Sequence, residues 1–167
     1  MAKSNNTLCL DKFYPEKDLM ITDIAQQSDK IIIRMKLTSS SCKCPKCNHI
    51  TQKYHGTYTR KVQDLPILGK QVQLEICSHE YACLNDECEA VSIAETFDGF
   101  LNNYSRMTER CADFICTLAL ETSCEGCARV CRTLGIKTSG DIVIRLLLKR
   151  YESLPQPEVS DVIGVDD

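Results

Sequence analysis

Cys44-Pro45-Lys46-Cys47, followed across 35 intervening residues by Cys83-Leu84-Asn85-Asp86-Glu87-Cys88, is the stretch on which the fold turns. Zinc takes four thiolates tetrahedrally at about 2.3 Å, and a Cys-x-x-Cys turn aims two sulfurs at one metal while backbone N–H groups donate to them. The second pair is wider, with four residues between its cysteines, and a loop of that size still closes over one ion. Between the pairs, Tyr54 to Val62 is rich in aromatic and β-branched residues, Asp64-Leu65-Pro66 with Leu68-Gly69 reads as a turn, and Val72 to Ile76 resumes alternation. A β-ribbon that goes out and returns brings the two half-sites together at its open end. Cys44, Cys47, Cys83 and Cys88 are therefore expected to hold one structural Zn2+ per chain, which contributes directly to folding.

The remaining metal-ligating residue types do not displace this set. Cys42 precedes the Cys-Pro-x-Cys turn as a spectator, and His49, His55 and His79 are not needed, since four cysteines complete a closed shell. Cys124 and Cys127 form a further Cys-x-x-Cys pair, with Cys131 one turn on and Cys111 and Cys116 on the preceding segment. Cysteine packs as a small hydrophobe, so these five read as a thiol-lined helix interface; the competing reading is a second metal or redox site.

Upstream of the ribbon, Leu19-Met20-Ile21 and Ile31-Ile32-Ile33 flank a polar stretch, the pattern of an N-terminal β-hairpin. Downstream, Cys111, Phe114, Ile115, Leu118 and Ala119 recur at helical spacing between Thr108 and Glu121. A second helix is expected from Cys124 to Leu134, stopped by Gly135, and a third from Gly140 to about Tyr151, capped by Ser139. The fold class is α+β: residues 1–98 a hairpin and zinc-ribbon domain, 99–154 a three-helix helix-turn-helix domain, and 155–167 an acidic tail. In that arrangement the exposed side of the last helix, with Lys137, Thr138, Asp141, Arg145 and Lys149, faces the major groove and phosphates of double-stranded DNA.

Bulk properties bound these readings. The chain of 167 residues carries 20 Lys and Arg against 23 Asp and Glu, and the last seventeen residues hold five acidic groups and no basic one. The acidity thus belongs to the tail, and a body near neutrality can still present a local basic face. Twelve cysteines with no secretory signal pattern point to the cytoplasm, where reduced thiols favour metal over disulfide. No apolar run reaches the roughly 18 residues of a membrane span.

The run Cys44-Pro45-Lys46-Cys47, Tyr54-His55-Gly56-Thr57-Tyr58-Thr59-Arg60, Asp64-Leu65-Pro66 with Gly69 and Val72, and Cys83 to Cys88 resembles the N-terminal zinc finger of the ISL-three group of bacterial insertion-sequence transposases. Ala94-Glu95, Tyr104-Ser105-Arg106-Met107-Thr108, Ala128-Arg129 and Leu134-Gly135-Ile136 are similar to that family's helix-turn-helix region, and Val162-Ile163-Gly164-Val165-Asp166-Asp167 to the first strand of its ribonuclease-H-like catalytic domain. The resemblance implies recognition of transposon ends and adds Arg60 and Arg129 to the expected DNA contacts. Asp166 would match the first catalytic carboxylate, and the others would lie beyond Asp167, so no two-metal nuclease is expected within this chain. The family's arginines before the second cysteine pair are replaced by Ser78-His79-Glu80-Tyr81, and its glycine pair before the second helix by Ser123-Cys124. Fewer cations beside the ribbon weaken phosphate attraction. The alternative expectation is therefore a protein-interaction module or regulator that retains the zinc fold, for example an inhibitor of the parent transposase or of another nucleic-acid-acting complex, with the parent transposase, a host or phage factor or a second copy as partner.

Overall fold

The computed structural model describes Tyr14, residues 19–97 and residues 99–155. The expected strand near Val162 lies outside the described residues. Among these residues the architecture is α+β: a five-stranded sheet, a separate two-stranded pair, and three helices that follow in the chain.

That ribbon is made by β5 (Tyr54–Ile67) and β6 (Lys70–Ala82), paired antiparallel with Val62 opposite Leu74 and Asp64 opposite Val72. Alternate side chains Val62, Val72, Leu74 and Ile76 are buried, as a pleated strand with one covered face requires. The reversal is tighter than the sequence suggests. Asp64-Leu65-Pro66 remains in β5 across an irregularity between Asp64 and Ile67, and only Leu68 (φ 50°) and Gly69 (φ 74°) form the turn. Two consecutive positive φ values match the right-handed strand twist, which is why a two-residue loop suffices.

The upstream strands β1 (Leu19–Gln26) and β2 (Lys30–Leu37) pair antiparallel, and β2 then lies parallel to β6, with Ile33 opposite Leu74 and Met35 opposite Ile76. Ile33, Leu74 and Val62 consequently share one row on the buried face. Tyr14, Phe97, Phe100 and Leu101 join the same core. Two short strands, β3 (Cys42–Lys43) and β4 (Ile50–Thr51), form a separate pair, and β7 (Ser92–Ala94) continues along β6 where β2 has ended.

The helices are α1 (Glu109–Leu120), α2 (Cys124–Thr133) and α3 (Gly140–Glu152), each opened by a side-chain cap, from Thr108, Ser123 and Ser139 respectively. α2 ends in a Schellman motif: Ile136 N–H reaches Cys131 O at 2.9 Å, Gly135 N–H reaches Arg132 O at 3.1 Å, and Gly135 takes φ 87°. Cys111, Ile115, Cys127, Ala128, Cys131, Ile136 and Val143 fill a second core among the three helices. Cys127 and Cys131 stand 3.9 Å apart at their sulfurs, one helical turn from each other, with Cys127 donating to Ile115 O.

Two adjacent β5 residues join the cores. The Gln63 side chain exchanges two hydrogen bonds with the Lys137 backbone, receiving N–H at 2.8 Å and donating to O at 3.3 Å. The Gln63 backbone brackets the approach to α1, donating to Arg106 O at 2.8 Å and accepting from Thr108 N–H at 3.0 Å. Asp64, buried, accepts from Thr108 Oγ1 at 2.7 Å, Tyr14 OH at 3.0 Å and Arg110. Every lone pair of that carboxylate is engaged, the condition under which a buried charge is tolerated.

Candidate metal centre

Both half-sites are built by the local backbone. Cys44 and Cys47 lie in the loop joining β3 to β4, where Cys44 N–H donates to His49 O and Asn48 N–H to Cys44 O, each at 2.9 Å. Asn48 has φ 60°, a conformation asparagine tolerates better than most residues. The second half-site follows β6, where Asn85 turns the chain, accepting Cys88 N–H at its carbonyl and Glu87 N–H at its side chain. Ala90 N–H points at Cys88 Sγ at 3.5 Å. Buried Thr51 fastens one half-site to the other: its Oγ1 donates to Ala82 O at 2.8 Å, one residue before Cys83.

The four sulfurs converge. Sγ of Cys44 lies 3.8 Å from that of Cys88, Cys47 lies 3.7 Å from Cys83, and all four fall within 4.8 Å of one another. Thiolates at about 2.3 Å from a tetrahedral zinc stand about 3.8 Å apart, so the donor set and its spacing fit that ion. The contacts are much longer than a disulfide bond of about 2.05 Å. The thiols also differ in acidity. The backbone N–H of His49, more than any other group, draws Cys47 down to about 6. Asn85 N–H acts on Cys83 in the same sense, but burial and its hydrogen bonds to the other three cysteines push it up to about 12. A bound Zn2+ would hold all four as thiolates and tie the ends of the ribbon together.

Cys42 lies off this cluster, its sulfur 3.9 Å from Ala94 O. Beside it, the buried carboxylate of Glu95 accepts from His79 N–H at 2.7 Å and contacts the His79 ring at 3.3 Å and Tyr81 OH at 3.4 Å. This network holds β7 on β6 and engages His79 away from the sulfurs.

The residues expected to meet DNA differ in exposure. Lys137, Arg145 and Lys149 are exposed, as is Arg129 on α2. Thr138 is a correction: it precedes α3 and is only 8% exposed, because the chain turns inward there between Ile136 and the Ser139 cap. Arg60 is another. Its guanidinium donates to Asn102 O and Ser105 O at 3.1 and 3.2 Å and lies over the Phe97 ring, holding the loop before α1. Lys149 borders a groove of about 390 Å³ that it shares with Glu109 and Asp113. Gln63 and Asp64 are the influential residues that spacing alone did not single out. Their signal was a charged residue beside Leu65-Pro66 in the middle of a ribbon, where a turn offered the simpler reading.

Residues 40–88 match the family described as the zinc-finger of transposase IS204/IS1001/IS1096/IS1165. The matched span contains both half-sites and the ribbon between them. No curated protein and no solved structure matches the chain.

Proposed function

We propose that the chain is a zinc-dependent DNA-recognition module of transposase type, acting on transposon-end or related duplex DNA without a catalytic step of its own. The observation that carries this reading is the coincidence of a transposase zinc-finger match with four sulfurs at tetrahedral zinc spacing. Zinc, one per chain, has a structural role in it: it closes the ribbon so that β5 can present Gln63 and Asp64 to the helices. α2, the Gly135 turn and α3 then act as a helix-turn-helix, with α3 as reader. Lys137, Arg145, Lys149 and Arg129 supply exposed cations, and the Gln63 bonds to Lys137 set the position of the turn. A reducing cytoplasm, which keeps thiols available to the metal, suits this role. Among the described residues no helix is long and apolar enough to cross a membrane.

The test is a titration of the metal-quantified chain into labelled terminal-repeat duplex and a scrambled control across a salt series. Sequence-dependent binding with a steep salt slope is expected. Weak binding that ignores sequence sinks the reading.

One observation favours a second reading, a protein-interaction module or regulator that retains the zinc fold. Ile144, Leu148 and Tyr151 recur at spacings of four and three on α3 and are 46%, 55% and 60% exposed. A helix that only reads DNA has little use for such a stripe, whereas a second copy or a parent transposase would cover it. Analytical ultracentrifugation of Leu148→Glu separates the two: loss of self-association or of transposase binding, with DNA binding intact, supports the second.

A further inference from the structure

The loop before α1 presents a tyrosine to solvent in a conformation that its own turn does not favour. Ser105 N–H reaches Asn102 O at 3.1 Å, and Tyr104, the third residue of that turn, takes φ 60°. A positive φ at the third position selects glycine or asparagine, and a bulky side chain is strained there. Tyr104 is 99% exposed, so no burial offsets the strain and both faces of its ring are bare.

The turn is nonetheless held on every side. Arg60 donates to the Asn102 and Ser105 carbonyls from β5, Ser105 Oγ donates to Met107 O at 2.7 Å, and Gln63 N–H donates to Arg106 O at 2.8 Å. The Asn102 side chain donates to Glu109 in the first turn of α1. A ring carried on so braced a turn loses little freedom on contact with a partner, which is the economy of a preorganised binding group. The surroundings define that partner. Between Gly99 and Thr108 the chain has no acidic residue, and Arg106 is exposed two positions after the ring. Asn102 and Ser105, which close the turn, line the groove of about 390 Å³ together with Lys149 of α3. The two carboxylates of this groove are engaged, Glu109 by Asn102 and Asp113 by Arg150, whereas Lys149 has no acidic partner among the described residues. An open aromatic face with cations beside it fits a nucleotide, whose base stacks on the ring while its phosphates meet the charges. Bases paired inside a duplex keep their faces stacked and offer only their edges, so the base in question is an unpaired one.

We propose that Tyr104 is a stacking platform for an unpaired nucleobase, at a strand end or extruded from the helix, next to the duplex contacted by α3. The assignment rests on the DNA-recognition reading above and adds a contact in the loop before α1, outside the α2–α3 unit. The groove shared with Lys149 sets this contact beside the reader helix, and Arg60 acts on it by holding the turn that carries the ring.

The test uses the full zinc-loaded chain and a duplex that it selects from a random pool, prepared blunt, with a single-stranded overhang, or with an unpaired internal base. Wild type is expected to bind one unpaired form about tenfold more tightly than the blunt one. Which form gains distinguishes a strand end from an extruded base. Tyr104→Asn, which suits the positive φ, should melt no lower than wild type and lose the tenfold preference. Tyr104→Phe should keep it. Tyr104→Trp introduces the sole tryptophan of the chain, whose fluorescence should fall on binding the favoured form and not the blunt one. Equal affinity of wild type for all forms, or a preference retained in Tyr104→Asn, overturns the platform and leaves DNA recognition standing. Failure of the wild-type chain to select or bind any duplex overturns both. Tryptophan fluorescence that changes with protein concentration in the absence of DNA, and not with the unpaired base, assigns the loop to a second copy and also overturns the platform.

Discussion

Asp64 and Arg110 form a two-pronged ion pair between the ribbon and the first helix, with Arg110 Nε donating to Asp64 Oδ1 at 2.8 Å and Nη2 donating to Oδ2. Arg110 also lies over the Tyr14 ring at 4.8 Å, so one guanidinium gathers Tyr14, β5 and α1. Asp64→Asn would leave the guanidinium facing a neutral group and disturb three other hydrogen bonds. A loss of about 3 kcal/mol is expected, seen as a lower urea midpoint at unchanged slope.

The same pair sets a pH dependence. Burial opposes ionisation of Asp64, but the hydrogen bond from Arg110, with those from Thr108 and Leu65 N–H, outweighs it and holds the carboxyl below its ordinary range. A carboxyl depressed on folding stabilises fully above its unfolded pKa, and this contribution is lost as pH falls through the folded value. Between neutral pH and the acid limit, wild type should therefore lose more stability than Asp64→Asn at matched zinc occupancy. Parallel stability curves for the two proteins would contradict the assignment.

Removal of the metal should be felt along the whole ribbon. Chelation is expected to lower the melting temperature steeply and to release one zinc per chain, and acid should release it too, since thiolates must be deprotonated to bind. Cys83→Ser should abolish stoichiometric zinc by elemental analysis. Cys42→Ser should retain it, because the Cys42 sulfur faces Ala94 O instead of the cluster.

Gly135 combines φ 87° with a close approach to Gln71 N. An alanine there is strained by its own backbone and also pushes the α2–α3 turn off the ribbon. Gly135→Ala should cost about 2 kcal/mol by denaturant titration. A near-neutral result would mean that the turn and the ribbon are not in contact.

Ser78 is fully buried, and its Oγ has no hydrogen-bond partner among the described residues. Ser78→Ala removes a desolvated hydroxyl without opening a large cavity. The variant should be as stable as wild type or more stable by about 1 kcal/mol, as read from its urea midpoint.

If α3 reads DNA, Arg145→Ala with Lys149→Ala should weaken binding across sequences and reduce the salt slope by about 2. Unchanged affinity in the double variant would remove α3 from the recognition surface.

The convergence of Cys44, Cys47, Cys83 and Cys88 was legible because a closed tetrahedral shell needs four soft donors in two short turns, and two spaced cysteine pairs state that requirement locally. Helices α1 to α3 were legible from their apolar periods, with Ser139 marking where α3 begins and Gly135 where α2 stops, whereas the caps at Thr108 and Ser123 emerged only in the fold. The parallel placement of β2 on β6 was not, since alternation in Ile31-Ile32-Ile33 gives a strand its faces but names no neighbour. Nor was the fate of Asp64-Leu65-Pro66, whose residue types serve a turn or a bulged strand equally well. Thr138 looked exposed until the fold showed it buried, and the bonds of Arg60 to Asn102 and Ser105 join residues too distant in the chain for spacing to reveal. Short spacing along the chain was enough to place the four-cysteine cluster, the helical periods and the Ser139 cap. Which polar side chains are consumed in joining ribbon to helices became visible in the fold alone, because it depends on groups brought together across some forty to seventy residues, as Asp64 meets Arg110 and Gln63 meets Lys137.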